Sequence, residues 1–255
     1  MGELLDKDHG GSGGTTDPEA HTHDHMVHHH RDVQGGAARA AVFGVSDGLV
    51  SNVALILGVA AAGTSADTVL IAGTSGLLAG AASMAAGEYV SMKAQNELVE
   101  RELDIERQSL EANPQKEVIE LSHIYMRRGL EEEDATALAT AIMSDPEVAL
   151  EVHAREELGV DPDSVGNPVA ASLTSFVAFA IGASLPLIPW LLSNGDRARN
   201  GSIVVGLLSA AAVGVLLAWF TERSILRTSL RQVLWATGAC VLTWAIGSWL
   251  GATVL

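Results

Sequence analysis

The run from Ala40 to Ala62 contains no Lys or Arg and a single acid, Asp47. Roughly 20 apolar residues carry a helix across a bilayer, so this run is long enough to span one. A carboxylate near the middle of such a helix costs about 2.5–3.5 kcal/mol on insertion scales and is kept where it faces a bundle interior or a wet path. Asp47 sits in Gly44-Val-Ser-Asp-Gly-Leu-Val-Ser-Asn52. Asp-Gly also signals turns in soluble chains, but here apolar sequence flanks it too far on both sides. Asp47 is therefore the first candidate functional residue.

Four more apolar runs follow: Thr68–Met92, Asn167–Leu192, Ser202–Phe220 and Val233–Leu255. The chain is 48% hydrophobic yet carries a net charge of −16, which requires charge and apolar residues to be segregated. Between Ala94 and Asp163 stand nineteen acids against six bases. The expected fold class is all-α: a polytopic membrane protein with five transmembrane helices and an acidic helical-bundle insert between the second and third. The expected divisions are a disordered arm over 1–39, two spans over 40–93, the bundle over 94–165 and three spans over 166–255. One cysteine, Cys240, excludes an internal disulfide and a thiolate metal cluster within one chain. No basic start with a short apolar core and a small-residue cleavage site is visible. The basic residues Arg223, Arg227 and Arg231, read as one loop over Thr221–Gln232, outnumber Arg197 and Arg199 in the loop over Ser193–Asn200. That bias places the N-terminus and the acidic insert in the cytoplasm and the C-terminus outside.

Within the arm, His21-Thr-His-Asp-His-Met-Val-His-His-His30 can bind divalent metal through imidazole. Metal gathering and incidental binding by a flexible arm are both open readings. In the second span Gly76, Gly80, Met84 and Glu88 recur every four residues. One helix face is thus nearly free of side chains and ends in a thioether and a carboxylate one turn apart. Sulfur beside oxygen suits a borderline cation such as Fe²⁺ better than Mg²⁺ or Ca²⁺. Packing is the alternative use of Met84.

The insert reads as a continuation of the second helix to about Leu110, then helices over 115–128 and 131–143, then one opened by Asp145-Pro146 and reaching Leu158-Gly159. Glu102 and Glu106 are one turn apart, as are Glu117 and Glu120. Glu120-Leu-Ser-His123 has the spacing used in di-iron bundles. Clustered carboxylates make either a solvated surface or a cage around cations. There is no phosphate loop and no nucleophile beside a His, so no enzyme chemistry is expected, nor any nucleic-acid partner.

Gly44-Val-Ser-Asp-Gly-Leu, Ser83-Met-Ala-Ala-Gly-Glu-Tyr-Val-Ser91 and Leu185-Pro-Leu-Ile-Pro189 together resemble the vacuolar iron transporter family and its prokaryotic relatives. The resemblance covers about Arg39 to Leu255. It implies a homodimer of five-helix protomers in a lipid membrane, the plasma membrane in a prokaryote. It implies export of Fe²⁺, and often Mn²⁺, from the cytosol in exchange for protons. Fe²⁺ is then substrate, with Mn²⁺, Zn²⁺ or Co²⁺ as other candidates, and no cofactor is permanently bound. By position, Asp47 and Met84 form the membrane site, and Glu106, Glu117, Glu120 and Glu157, with Glu102 nearby, collect metal in the bundle. His153-Ala154 stands where the family has a Met pair, which puts an imidazole in place of one soft ligand. Glu88, one turn from Met84, is the expected proton-coupling residue. The alternative is a membrane-tethered iron-storage or metal-sensing bundle that moves no ion.

Overall fold

A computed structural model describes residues 36–162 and 166–254. Every regular element among them is helical. Helix α1 spans Gly36–Ala61, so it begins inside the stretch expected as the arm. The His-rich stretch His21–His30 lies outside the described residues. Gly63, at φ 81°, makes the turn into α2, and the Ser65 hydroxyl caps α2 by accepting from the Thr68 amide at 3.2 Å.

Helix α2 runs unbroken over Ala66–Ala112, about 70 Å at 1.5 Å per residue. Its first half is apolar. Beyond Met92 it continues because Asn96-Glu-Leu-Val-Glu are good helix formers, and ion pairs such as Lys93–Glu97 at 3.5 Å run along its surface. It stops at Asn113. Pro114 then opens α3, Pro114–Arg127, where its missing N–H costs nothing. Helix α4 covers Glu132–Ile142. Helix α5, Pro146–His153, is capped by Asp145, which accepts from the Glu147 and Val148 amides. It passes into a single wide turn of π-helix over Ala154–Leu158 that Gly159 closes at φ 67°. The small core of this bundle is Leu121, Ile124 and Ala139, with Tyr125, Ile142 and Val152 against them.

Asn167 caps α6, Pro168–Ser184. Pro186 and Pro189 then turn the chain through a short 3₁₀ segment, Leu185–Leu187, into α7, Ile188–Leu192. Helices α8, Gly195–Phe220, and α9, Ile225–Val254, complete the set. Both begin earlier than the sequence suggests. Arg197 and Arg199 lie in the first turns of α8, and Arg227 and Arg231 lie on α9, so the expected loops shrink to a few residues. Helix is favoured there because it satisfies backbone groups internally next to an apolar phase, while long Arg stems let the charges reach the aqueous edge.

Five helices are long and apolar enough to cross a membrane: Ala40–Ala61, Ala66–Ala112, Pro168–Leu192 including its break, Gly195–Phe220 and Ile225–Thr253. Large apolar side chains on their outer faces, among them Trp219, Trp235, Trp244 and Trp249, are exposed. Helix α1 lies at the centre, against α2, α6, α8 and α9. It approaches α6 closely because glycines remove side chains on both sides. A Cβ on Gly48 would run into the Phe179 carbonyl, and one on Gly182 into the Val45 carbonyl. Small residues at such crossings let backbones touch where lipid supplies no hydrophobic drive. Asn52 then donates its amide to the Ala183 carbonyl at 2.6 Å, and Ser172 of α6 donates to the Ala85 carbonyl of α2 at 2.9 Å.

Candidate functional site

The α1–α6 contact fixes which face of α1 is left over. Gly44 and Gly48 are consumed against α6. Asp47 and Ser51 therefore turn away from it, into a cleft of about 360 Å³ lined by Phe43, Asn52, Leu55, Gly76, Gly80, Ser83, Met84 and Phe179. Asp47 is exposed on the single chain, so the cleft opens on its outer face. Ser51 donates to the Asp47 backbone carbonyl at 2.6 Å and leaves the carboxylate alone. Met84 is half-buried against the group formed by Ala81, Phe179 and Ala183. Gly76 and Gly80 supply the α2 wall. The stripe that the sequence shows as side-chain-free is thus the floor of a cleft holding a carboxylate and a thioether. Glu88 lies one turn beyond Met84 and is not part of the cleft lining. Asn52 and Phe179 line the cleft although sequence reasoning did not select them. An Asn among apolar residues, five positions after Asp47, was the available signal for the first.

The second assembly lies in the bundle. Glu106, from the far half of α2, is 7% exposed, and His153 at the end of α5 is fully buried. His153 Nδ1 stands 3.1 Å from Glu106 Oε1 and 3.5 Å from Glu157 Oε2. One ligand atom from each residue lies within 4.8 Å of the others. Glu106 Oε1 and both ring nitrogens complete no hydrogen bond. Buried polar atoms left unsatisfied cost about 1–3 kcal/mol each, a cost that a cation between them would remove. The wide turn after His153 carries Glu157, and such π-turns recur at functional sites. Glu157's carboxyl is raised above the usual carboxylate range by burial first and by the charge of Glu120 next. Glu117 is 4% exposed and, with Glu120, adds to the negative field at Glu106.

Not every expected ligand joins this group. Glu102 points to Arg101 at 2.7 Å. Glu120 is shared with Lys116 at 3.6 Å. It also meets Glu157 in a side-chain hydrogen bond and lines with it, His123 and Glu156 an adjoining hollow of about 420 Å³ that includes Lys116 and Arg127. Two cations in that wall weaken any reading of Glu120 and His123 as half of a di-iron centre. Glu106 and Met84 are 22 positions apart on one unbroken helix, about 33 Å along its axis.

Comparison with known proteins joins these features. The VIT family profile matches residues 38–248. A protein of Acanthamoeba castellanii named vacuolar iron transporter is 35% identical over 221 residues, 86% of this chain and 81% of its own. Vacuolar iron transporter 1 of Arabidopsis thaliana is 29% identical, over 84% of this chain and 86% of its own. Vacuolar iron transporter 1 of Oryza sativa subsp. japonica is 30% identical, over 77% and 80%. The matched region takes in all five apolar helices and the bundle between them. The chain is an integral membrane protein that belongs to the VIT family, whose members are transporters and not enzymes.

Proposed function

We propose that this protein moves Fe²⁺, with Mn²⁺ as a second candidate cargo, out of the cytosol in exchange for protons, as a homodimer in a lipid membrane, the plasma membrane in a prokaryote, with its N-terminus and bundle in the cytoplasm. The observation that carries the reading is the pairing of Asp47 and Met84 in one open cleft, with Met84 on the same unbroken helix as Glu106 of the Glu106, His153 and Glu157 group. The acidic bundle raises the local cation concentration at the cytoplasmic mouth. Glu106, His153 and Glu157 hold the ion there, with Glu117 and Glu120 supplying field, and Glu102 stands at the edge.

The ion then passes to Asp47 and Met84. Fe²⁺, a borderline cation, accepts this mixture of oxygen and thioether, whereas Mg²⁺ and Ca²⁺ prefer oxygen alone. Proton uptake by Asp47 from the outer side removes the charge that holds the metal and releases it. Glu88, one turn along α2, relays that proton. The open side of the cleft carries exposed Phe43 and Leu55 beside Asp47, an apolar rim on which a second copy would close the site with its own Asp47 and Met84. The relatives' names, vacuolar iron transporter, support iron as cargo.

The test is Fe²⁺ uptake into proteoliposomes under an imposed pH gradient, for the native chain and Asp47→Ala. Gradient-driven uptake that the substitution abolishes is expected. Fe²⁺ bound by the bundle with no uptake by the native chain would replace transport with storage or sensing.

A further inference from the structure

Asn52 is 2% exposed. Its Nδ2 donates to the Ala183 carbonyl of α6 at 2.6 Å. That bond sets the orientation of the amide, because the reverse assignment would press two oxygens together. Oδ1 is thereby turned away from α6, and it has no hydrogen-bond partner. Asn52 lines the same cleft as Asp47 and Met84. On the facing wall, a Cβ built on Gly76 of α2 would stand 3.2 Å from Oδ1. That Cβ would also stand 2.5 Å from Leu55 Cδ2, so the oxygen faces a bare stretch of α2 that the tip of the Leu55 side chain covers.

A buried acceptor without a donor is costly, and this one is held in place by a bond on its other side, so it does not turn to relieve itself. A cleft holding a carboxylate, a thioether and a pre-aimed amide oxygen is suited to a cation. We propose that Asn52 Oδ1 is a third, uncharged ligand of the metal ion in this cleft. The assignment rests on the transport reading above. Its consequence is selectivity. A carbonyl-type oxygen raises the hard share of the donor set without adding charge, and so favours Fe²⁺ and Mn²⁺ over a softer ion such as Cd²⁺.

The experiment compares Asn52→Leu, which keeps the bulk and loses the oxygen, with Asn52→Asp, which keeps an oxygen and loses the donor to Ala183. In Fe²⁺ uptake, Asn52→Leu should raise KM at least about tenfold, the lower end of what even an outer-shell partner is worth in metal affinity. Its maximal rate should stay near native, and Cd²⁺ should compete better against Fe²⁺ than Mn²⁺ does. Asn52→Asp should restore KM. An unchanged KM in Asn52→Leu would overturn the assignment. So would an equal loss in both variants, the result expected if Asn52 merely ties α1 to α6. If the native chain takes up no Fe²⁺, the transport reading fails by itself. Co²⁺ binding to the detergent-solubilised full chain carrying Glu106→Gln and Glu157→Gln then decides the ligand. A tenfold loss in Asn52→Leu but not in Asn52→Asp supports it, and equal affinities reject it.

Discussion

Replacing Glu106 by Gln should make the metal-free bundle more stable and should roughly halve the stabilisation that metal adds. Glu106 is 7% exposed, its Oε1 completes no hydrogen bond, and the like charges of Glu157, Glu117 and Glu120 act on it against the opposite pull of His153. An unsatisfied buried acceptor costs about 1–3 kcal/mol, and a charged one more. Glutamine keeps the shape, removes the charge and brings a donor for Glu157. The expected gain without metal is therefore about 1–3 kcal/mol, a factor of roughly 5–150 in an opening equilibrium.

With metal the advantage shrinks. Fe²⁺ at 100 times the native Kd stabilises the bound state by about 2.7 kcal/mol. If the lost carboxylate weakens binding tenfold, the same concentration stabilises the variant by only about 1.4 kcal/mol. The assay is amide hydrogen exchange over residues 100–158 of the full chain in detergent, with and without Fe²⁺. Slower exchange of the metal-free variant and a roughly halved metal effect are expected. Faster exchange without metal, together with an unchanged metal effect, would mean that the group is an ordinary structural ion-pair cluster and that ligation has been misplaced.

Two further outcomes follow from the same geometry. Because Glu157's carboxyl is raised by burial and by Glu120, its contribution to metal-free stability is complete below the ordinary carboxylate range and is lost as pH rises through the raised value. Metal-free protection should therefore increase on acidification from neutral pH, while Fe²⁺ affinity falls as protons compete for the ligands; protection falling over that window would contradict the assigned shift. Gly182→Leu should separate α1 from α6, since even a Cβ there meets the Val45 carbonyl. It should cost at least the ~1–3 kcal/mol of overpacking and abolish transport without altering metal binding by the bundle, and a variant with native thermal stability in detergent would refute that packing.

Much of the architecture is local and legible in the sequence. The five apolar runs are set by length and hydropathy. The bundle's helix ends are written in Asn113-Pro114, Gly129, Asp145-Pro146 and Gly159, each acting within a turn of its own position. Arg197 and Arg227 suggest loops in the sequence yet lie on helices, because charge marks the membrane's edge but does not end a helix. Spacing along α2 put Gly76, Gly80 and Met84 on one face, yet it was silent on what that face meets. That depended on Gly48 and Gly182 bringing α1 against α6, which rotates Asp47 and Asn52 toward α2. In the bundle, helical spacing made Glu102 and Glu106 equivalent. The tertiary packing separates them, drawing Glu106 in to His153 and Glu157 and leaving Glu102 with Arg101. Helical periodicity specifies the faces of a single helix, while a site made by several helices depends on which faces are buried together.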